Sequence, residues 1–148
     1  MAMVLHSVLP NRQTHDARIL ATDIDTDMIA RAAGGRYPTA AGATIPASYA
    51  QRWAGADGTI DMKSELRRLI TFKPLNLLQP WPMRGPFDAI FCRNVAIYFD
   101  TDTKRALFDR FANILCDGGW LYVGHSESLN GISERFRLVG RTTYRRIA

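Results

Sequence analysis

Residues 87–99 read FDAIFCRNVAIYF and combine an apolar run with a polar end. The run 89–92 has the length of a strand, and its unbroken apolar character is typical of a parallel strand buried on both faces. Arg93 and Asn94 follow directly, and polar groups at the carboxyl end of such a strand lie where open α/β sheets bind ligands. An aromatic pair that begins at Tyr98 comes next. The stretch therefore predicts a buried strand with a binding site at its tip, and a strand with a plain polar exit turn is the alternative.

The chain has 148 residues, enough for one domain with a substantial core. Hydrophobic residues make up 47% of it and charged residues 22%, which is typical of a folded protein. The net charge is +5, yet the arginines are scattered apart from a small cluster at Arg141, Arg145 and Arg146. This argues only weakly for nucleic acid, which we do not expect as a partner, and an acidic protein partner fits the charge equally well.

Two cysteines, Cys92 and Cys116, lie in apolar segments, and nothing in their spacing pairs them. This usage is typical of reduced, structural thiols and predicts a cytoplasmic protein. The apolar segment 3–9 lacks the charged leader and cleavage site of a signal peptide. No apolar run is long enough to cross a bilayer, so membrane insertion is not expected.

Strand and helix signals alternate along the chain and predict an α/β sheet. The segment 3–9 is too short to decide between helix and strand. Asp25 or Thr26 caps a predicted helix, and Pro74 places the end of a later strand at a sheet edge. A second helix buries residues at helical spacing: Leu107, Phe108, Phe111, Ile114 and Leu115. The predicted elements are strands at 19–22, 70–75 and 120–123, helices over 28–33 and from 100–102 to Gly118-Gly119, and a closing hairpin of 136–140 and 142–146.

Asp23 directly follows the first predicted strand. A carboxylate in that place accepts both hydroxyls of a ribose, and a helix-capping or solvated aspartate is the alternative. Asp23, Asp25 and Asp27 alternate as at the start of a calcium loop. The sixth and twelfth positions of that loop hold Met28 and Gly34 instead of glycine and glutamate. We therefore expect no metal site.

Two further motifs fail on residue identity. No glycine occurs from Met1 to Thr22, so the glycine-rich loop that precedes the acidic residue of a dinucleotide site by roughly twenty residues is absent. The sequence GHSES at 124–128 has Ser128 where the hydrolase elbow requires glycine. NAD and serine hydrolysis are therefore not expected. Asn76 follows a predicted strand, where its amide suits either an adenine edge or a turn.

Five segments together resemble the CheR family of chemotaxis receptor methyltransferases. They are ILATDIDT at 19–26, NLL at 76–78, GPFDAIFCRNV at 85–95, IYFD at 97–100 and GHSES at 124–128. The resemblance extends over nearly the whole chain, from about Met3 to Tyr144. The segments 87–100 and 124–128 are specific to the family, whereas Asp23 alone is not.

The resemblance implies a doubly wound, Rossmann-type sheet of the S-adenosylmethionine-dependent methyltransferases, with a terminal antiparallel hairpin. It implies transfer of a methyl group from S-adenosylmethionine to glutamates on the cytoplasmic helices of chemoreceptors, leaving S-adenosylhomocysteine. Arg93 and Tyr98 are the implied catalytic residues. The implied cofactor-binding residues are Asp23 for the ribose, Asn76 and Leu77 for the adenosine part, and Arg93 and Asn94 for the methionine end.

Residues 1–148 are expected to form one partial catalytic domain, with a small β-subdomain inserted at about 44–69 that docks a receptor tail in some family members. In the family a helical domain, a strand and a glycine-containing cofactor loop would precede Met1. The first strand of the sheet is therefore expected to be missing, between the strands at 19–22 and 89–92, and this gap favours self-association. A catalytically inactive receptor-binding module is the alternative function.

Overall fold

The computed structural model describes residues 1–9, 16–38, 45–46, 48–49 and 59–148. These divide into two compact units, Met1–Asn76 and Leu77–Ala148. The expected single domain with an insertion at 44–69 stays a prediction, and residues 44, 47 and 50–58 of that insertion lie outside the described residues. None of the helices in the described segments is long and apolar enough to span a bilayer.

The first unit pairs two short sheets with helices. Strand β1 pairs with β4 in parallel, from Ile19 opposite Ile70 to Asp23 opposite Pro74. β2 and β3 form a separate antiparallel pair. Its elements are α1 (Ala2–Val8), β1 (Ile19–Asp23), α2 (Thr26–Gly34), β2 (Arg36–Pro38), β3 (Thr59–Asp61), α3 (Ser64–Arg67) and β4 (Ile70–Pro74).

Local signals explain the helices of this unit. The Asp25 side chain accepts hydrogen bonds from the amides of Asp27 and Met28 and begins α2, as predicted. Gly35 ends α2 in the left-handed region with φ +71°, a conformation that glycine adopts without strain. Most of the segment 3–9, for which the sequence does not decide between helix and strand, lies in α1, and this helix packs through Ala2 against the fully buried Leu66.

The second unit is a four-stranded sheet with one long helix. Its strand order is β5-β6-β8-β7, with β5 and β6 parallel and the terminal hairpin antiparallel, as predicted. The mixed α/β architecture, with parallel pairs and a closing hairpin, is consistent with the expected fold class. Its elements are β5 (Phe87–Cys92), a 3-10 turn (Ala96–Tyr98), α4 (Thr101–Ile114), β6 (Leu115–Val123), β7 (Phe136–Gly140) and β8 (Thr143–Arg146).

Helix α4 supplies the core of this unit, although its predicted end is wrong. Asp100 caps it by accepting a hydrogen bond from the Thr103 amide at 2.8 Å. The helix ends at Ile114, and Leu115 already belongs to β6, where it pairs with Phe87 and is 2% exposed. Helical spacing could not exclude Leu115, because a buried strand residue directly after a helix continues the apolar pattern. Gly118-Gly119, the predicted terminator, lies inside β6.

The expectation that β5 is buried on both faces is also wrong. Cys92 is 5% exposed and Ile90 packs against the core that contains α4. Phe91, on the opposite face, is 49% exposed and stacks on Tyr122 with ring centroids 4.3 Å apart. The aromatic pair gives that face its own packing, so an unbroken apolar run need not mean helices on both sides.

Candidate functional site

The loops that follow β5 and β6 leave the sheet at the same edge. Cys92 and Val123, the last residues of these parallel strands, are paired. The turn that carries Arg93, Asn94 and Tyr98 therefore lies beside the loop that begins at Gly124. The carboxyl ends of neighbouring parallel strands are where open α/β sheets bind ligands.

Glu127 joins these two loops through one carboxylate. Oε1 accepts hydrogen bonds from the backbone amides of Val95 at 2.9 Å and Ala96 at 2.7 Å. Oε2 accepts from the amide of Asn94 at 2.9 Å and from the amide of Gly124. The residue is only 8% exposed. Since a carboxylate offers about four acceptor sites, all of its capacity is used by these four amides.

The hydrogen bonds keep this buried carboxylate ionised. Burial by itself would raise the pKa of Glu127, but the four backbone N–H groups outweigh it and the net pKa is lowered. Burial also raises the pKa of the Cys92 thiol to about 12, with the charge of Glu127 as a second cause. Cys92 is therefore a packing residue and not a nucleophile.

Two backbone features bring the loops together. Asn94 has φ +60°, the left-handed region that asparagine tolerates better than most residues, and it turns the chain back after β5. A Cβ atom on Gly124 would lie 2.8 Å from Glu127 Oε2 and 2.9 Å from the Asn94 amide nitrogen, so only glycine fits there. The missing Cβ of Gly124 therefore allows its loop to lie close to the turn after β5.

The side chains that the turn displays are open to solvent. Tyr98 is 80% exposed, and Arg93 and Asn94 are exposed as well. Within the described segments, no hydrogen bond, ion pair or ring contact engages the side chain of Arg93 or Tyr98. A cation and a phenol that are exposed on a turn held by backbone hydrogen bonds are suited to contact a ligand.

Leu77 lies in the same unit and is held through its backbone. Its carbonyl accepts hydrogen bonds from Arg110 Nη1 at 2.6 Å and from Trp81 Nε1 at 3.1 Å. Arg110 also bonds to the carbonyl of Gln79 at 2.5 Å, and its guanidinium lies 3.9 Å from the centre of the Trp81 ring. Helix α4 therefore fixes the loop that contains Leu77.

Asp23 and Asn76 belong to the first unit. Asp23 ends β1, is exposed, and accepts one hydrogen bond from the Asp25 amide at 3.0 Å. Asn76 directly precedes Leu77 and is partly buried. The structure thus brings Arg93, Asn94 and Tyr98 together on one turn, and the implied cofactor-binding roles of Asp23 and Asn76 stay predictions.

Sequence reasoning missed Glu127 and Arg110 as organising residues. A signal for Glu127 is present in the sequence, because this residue lies three positions past Gly124, the glycine that follows β6, in the segment 124–128 that is specific to the family. The arginines grouped earlier as a cluster are partly used inside the fold: Arg145 donates to the Gly118 carbonyl at 2.7 Å, and Arg146 lies 3.1 Å from Asp117. In the described part of the chain, no group of three or more His, Cys, Asp or Glu residues could hold a metal ion.

The mixed α/β fold and the two loops that leave the sheet at one edge are consistent with a cofactor-binding α/β domain. The family described as CheR methyltransferase, SAM binding domain, matches residues 1–145, and the chain belongs to this family. S-adenosylmethionine is the cofactor that this domain implies.

Curated relatives agree with the family match. A probable chemotaxis protein methyltransferase of Rhizobium etli is 40% identical over 98% of this chain and 56% of its own length. Chemotaxis protein methyltransferases of Klebsiella aerogenes and Escherichia coli are 39% and 38% identical, over 97% and 86% of this chain and 51% and 46% of their own lengths. The chain therefore spans about half the length of the relatives it matches.

Proposed function

We propose that this chain is the S-adenosylmethionine-binding, catalytic part of a protein-glutamate methyltransferase that acts on chemotaxis receptors. The family match supports the cofactor and the class of reaction. The observation that carries the proposal is the turn after β5, which displays Arg93 and Tyr98 without side-chain partners beside the end of β6. Such a turn offers a cation and a phenol at the sheet edge where a ligand is expected.

Asp23, Asn76, Leu77, Arg93 and Asn94 are the proposed cofactor-binding residues. The Asp23 carboxylate is exposed and uses one oxygen for the Asp25 amide, which leaves acceptor capacity for the two ribose hydroxyls. The Leu77 loop, which Arg110 fixes, suits the adenosine part. Arg93 and Asn94 suit the methionine end, where a carboxylate needs a cation or a donor.

Bound S-adenosylmethionine supplies a methyl group on a positively charged sulfur. Arg93 and Asn94 would hold its methionine end, and the methyl group would pass to a receptor glutamate oxygen, with a C–O bond formed as the C–S bond breaks and its electron pair left on sulfur. A glutamate with a pKa of about 4.3 is already ionised at neutral pH, so no general base is required. Because opposite charges cancel toward the transition state, a strong cationic clamp on the glutamate would favour the ground state. Arg93 therefore positions the reacting groups and Tyr98 orients them, and most of the rate enhancement comes from their alignment.

The proposed partners are chemoreceptor cytoplasmic helices that carry the substrate glutamates, and the chain would act in the cytoplasm. The proposed β-subdomain at 44–69 is the segment for docking a receptor tail. Self-association belongs to the same proposal, because β5 lies at an edge of its described sheet and such an edge can pair with another chain.

Titration of the chain with S-adenosylhomocysteine tests cofactor binding. We expect saturable binding in calorimetry and a raised melting temperature, since a ligand that binds only the folded state stabilises it. Asp23→Asn should weaken binding at least tenfold while keeping an oxygen for the Asp25 amide. Asp27→Asn, a neighbouring exposed aspartate, is the matched control and should bind as the wild type. Absent binding together with intact receptor binding would favour the inactive module.

Transfer of a labelled methyl group to a receptor fragment tests the reaction. Tyr98→Phe should lower kcat while S-adenosylhomocysteine still binds, because only the orienting hydroxyl is lost. Tyr122→Phe, which keeps the ring that stacks on Phe91, is the control. Unchanged methyl transfer in Tyr98→Phe would remove Tyr98 from the site.

A further inference from the structure

The three consecutive amides of Asn94, Val95 and Ala96 all point to one carboxylate. Such a concavity of N–H groups, formed where the backbone passes through a left-handed residue, is an anion-binding arrangement. In this chain the Glu127 carboxylate occupies it, at 2.7 to 2.9 Å from the three nitrogens. A ligand carboxylate therefore cannot use these amides, and contacts from this turn to a ligand must come from side chains.

Glu127 itself cannot touch a ligand. It is 8% exposed, and its four hydrogen bonds exhaust its acceptor sites. Any effect of Glu127 on a reaction must act through the residues whose backbone it holds. Those residues are flanked by Arg93 on one side and Tyr98 on the other, and neither side chain has a partner in the described segments that would orient it independently.

We propose that Glu127 is the positioning residue of the methyl-transfer site, since its carboxylate holds the turn from Arg93 to Tyr98 in the conformation in which these two side chains meet cofactor and substrate. The inference rests on the proposed function. A misplacement of about 1 Å in such a site costs roughly 100-fold in rate, so loss of the carboxylate should act mainly on kcat.

Glu127→Gln is the primary test. The glutamine amide keeps one oxygen acceptor and places its NH₂ group against two of the backbone N–H donors. The hydrogen bonds to these two donors are therefore lost. We expect amide exchange at Asn94, Val95 and Ala96 to accelerate at least tenfold, and kcat to fall about 100-fold with little change in KM for the receptor fragment. The pH profile between 6 and 9 should keep its shape, because Glu127 exchanges no proton in the reaction.

Two further variants separate positioning from loss of folding. Glu127→Asp retains the charge with a shorter reach and should restore part of kcat and of the amide protection. Gly124→Ala keeps the carboxylate but forces it away from the amides, and it serves if Glu127→Gln does not fold. Glu134→Gln removes an exposed carboxylate of the same unit and is the matched control, with unchanged exchange and rate.

The readouts keep this inference distinct from the proposed function. Accelerated exchange with kcat within about threefold of the wild type would show that Glu127 is only structural and would overturn the inference. Unchanged exchange in Glu127→Gln would overturn it as well, because the turn would not depend on the carboxylate. A wild-type chain that neither binds S-adenosylhomocysteine nor transfers methyl groups would instead refute the proposed function, and the positioning role with it.

Discussion

Replacement of Gly124 by alanine tests the close approach of the two loops. The added Cβ would overlap Asn94 Oδ1 and would lie 2.8 Å from Glu127 Oε2. The Asn94 backbone nitrogen would lie 2.9 Å from the same Cβ atom, and this nitrogen and the carboxylate cannot yield freely because a hydrogen bond of 2.9 Å joins them. Overpacking of this kind costs about 1–3 kcal/mol.

The expected loss is therefore about 2 kcal/mol, within the range for overpacking and comparable to the loss of one charge-assisted hydrogen bond. For a chain of this size that corresponds to a fall in Tm of roughly 4–8 °C. Thermal unfolding followed by circular dichroism measures the loss. Amide exchange at Asn94 and Ala96 shows whether it arises in the turn after β5.

Gly34→Ala is the matched control for this prediction. No atom lies within 4 Å of the Cβ position at Gly34, which ends α2. Alanine favours a helix over glycine by up to about 1 kcal/mol, so Tm should stay the same or rise slightly. A Gly124→Ala chain that melts within 1 °C of the wild type, with unchanged exchange at Asn94, would refute the argument.

Three further predictions follow from the same contacts. The pKa of Glu127 is lowered on folding, so its stabilising contribution is complete above the ordinary glutamate pKa of about 4.3 and is lost as the pH falls through the lower pKa of the folded state. In denaturant titrations, the difference in unfolding free energy between wild type and Glu127→Gln should therefore shrink below about pH 4. A difference that stays constant with pH would contradict this. Alkylation at pH 8, followed by mass spectrometry, should modify the partly exposed Cys116 in the native chain and Cys92 only after denaturation, because burial raises the pKa of Cys92 to about 12. Equal alkylation rates of the two cysteines in the native chain would contradict the burial of Cys92. Arg110→Lys loses the guanidinium fork and should speed amide exchange in the loop after Leu77 while α4 stays protected, whereas unchanged exchange would mean that Arg110 does not fix the loop.

Short-range signals account for the elements that were predicted correctly. Asp25 caps α2 through amides two and three residues away, and Gly35 ends it within the same segment. The closing hairpin was likewise visible as two short strands separated by a turn. In each case the interaction and its sequence signal lie within a few residues of each other.

The predictions that failed concern burial and element ends. Phe91 sits in an unbroken apolar run yet is half exposed, because burial depends on what packs on each face of β5. Leu115 continues the apolar spacing of α4 but is already paired in β6. The residues of β5 do not predict what covers each of its faces, and the residues of α4 do not predict which strand pairs with Leu115.

By itself the sequence determined the alternation of strands and helices, the N-terminal cap of α2, the terminal hairpin and the family to which the chain belongs. Only the tertiary structure decided which carboxylate organises the site. Glu127 and the amide of Asn94 are 33 residues apart and meet because β5 and β6 run in parallel and end together. That convergence depends on strand register, and register arises from pairing between distant segments, not from the residues of either loop.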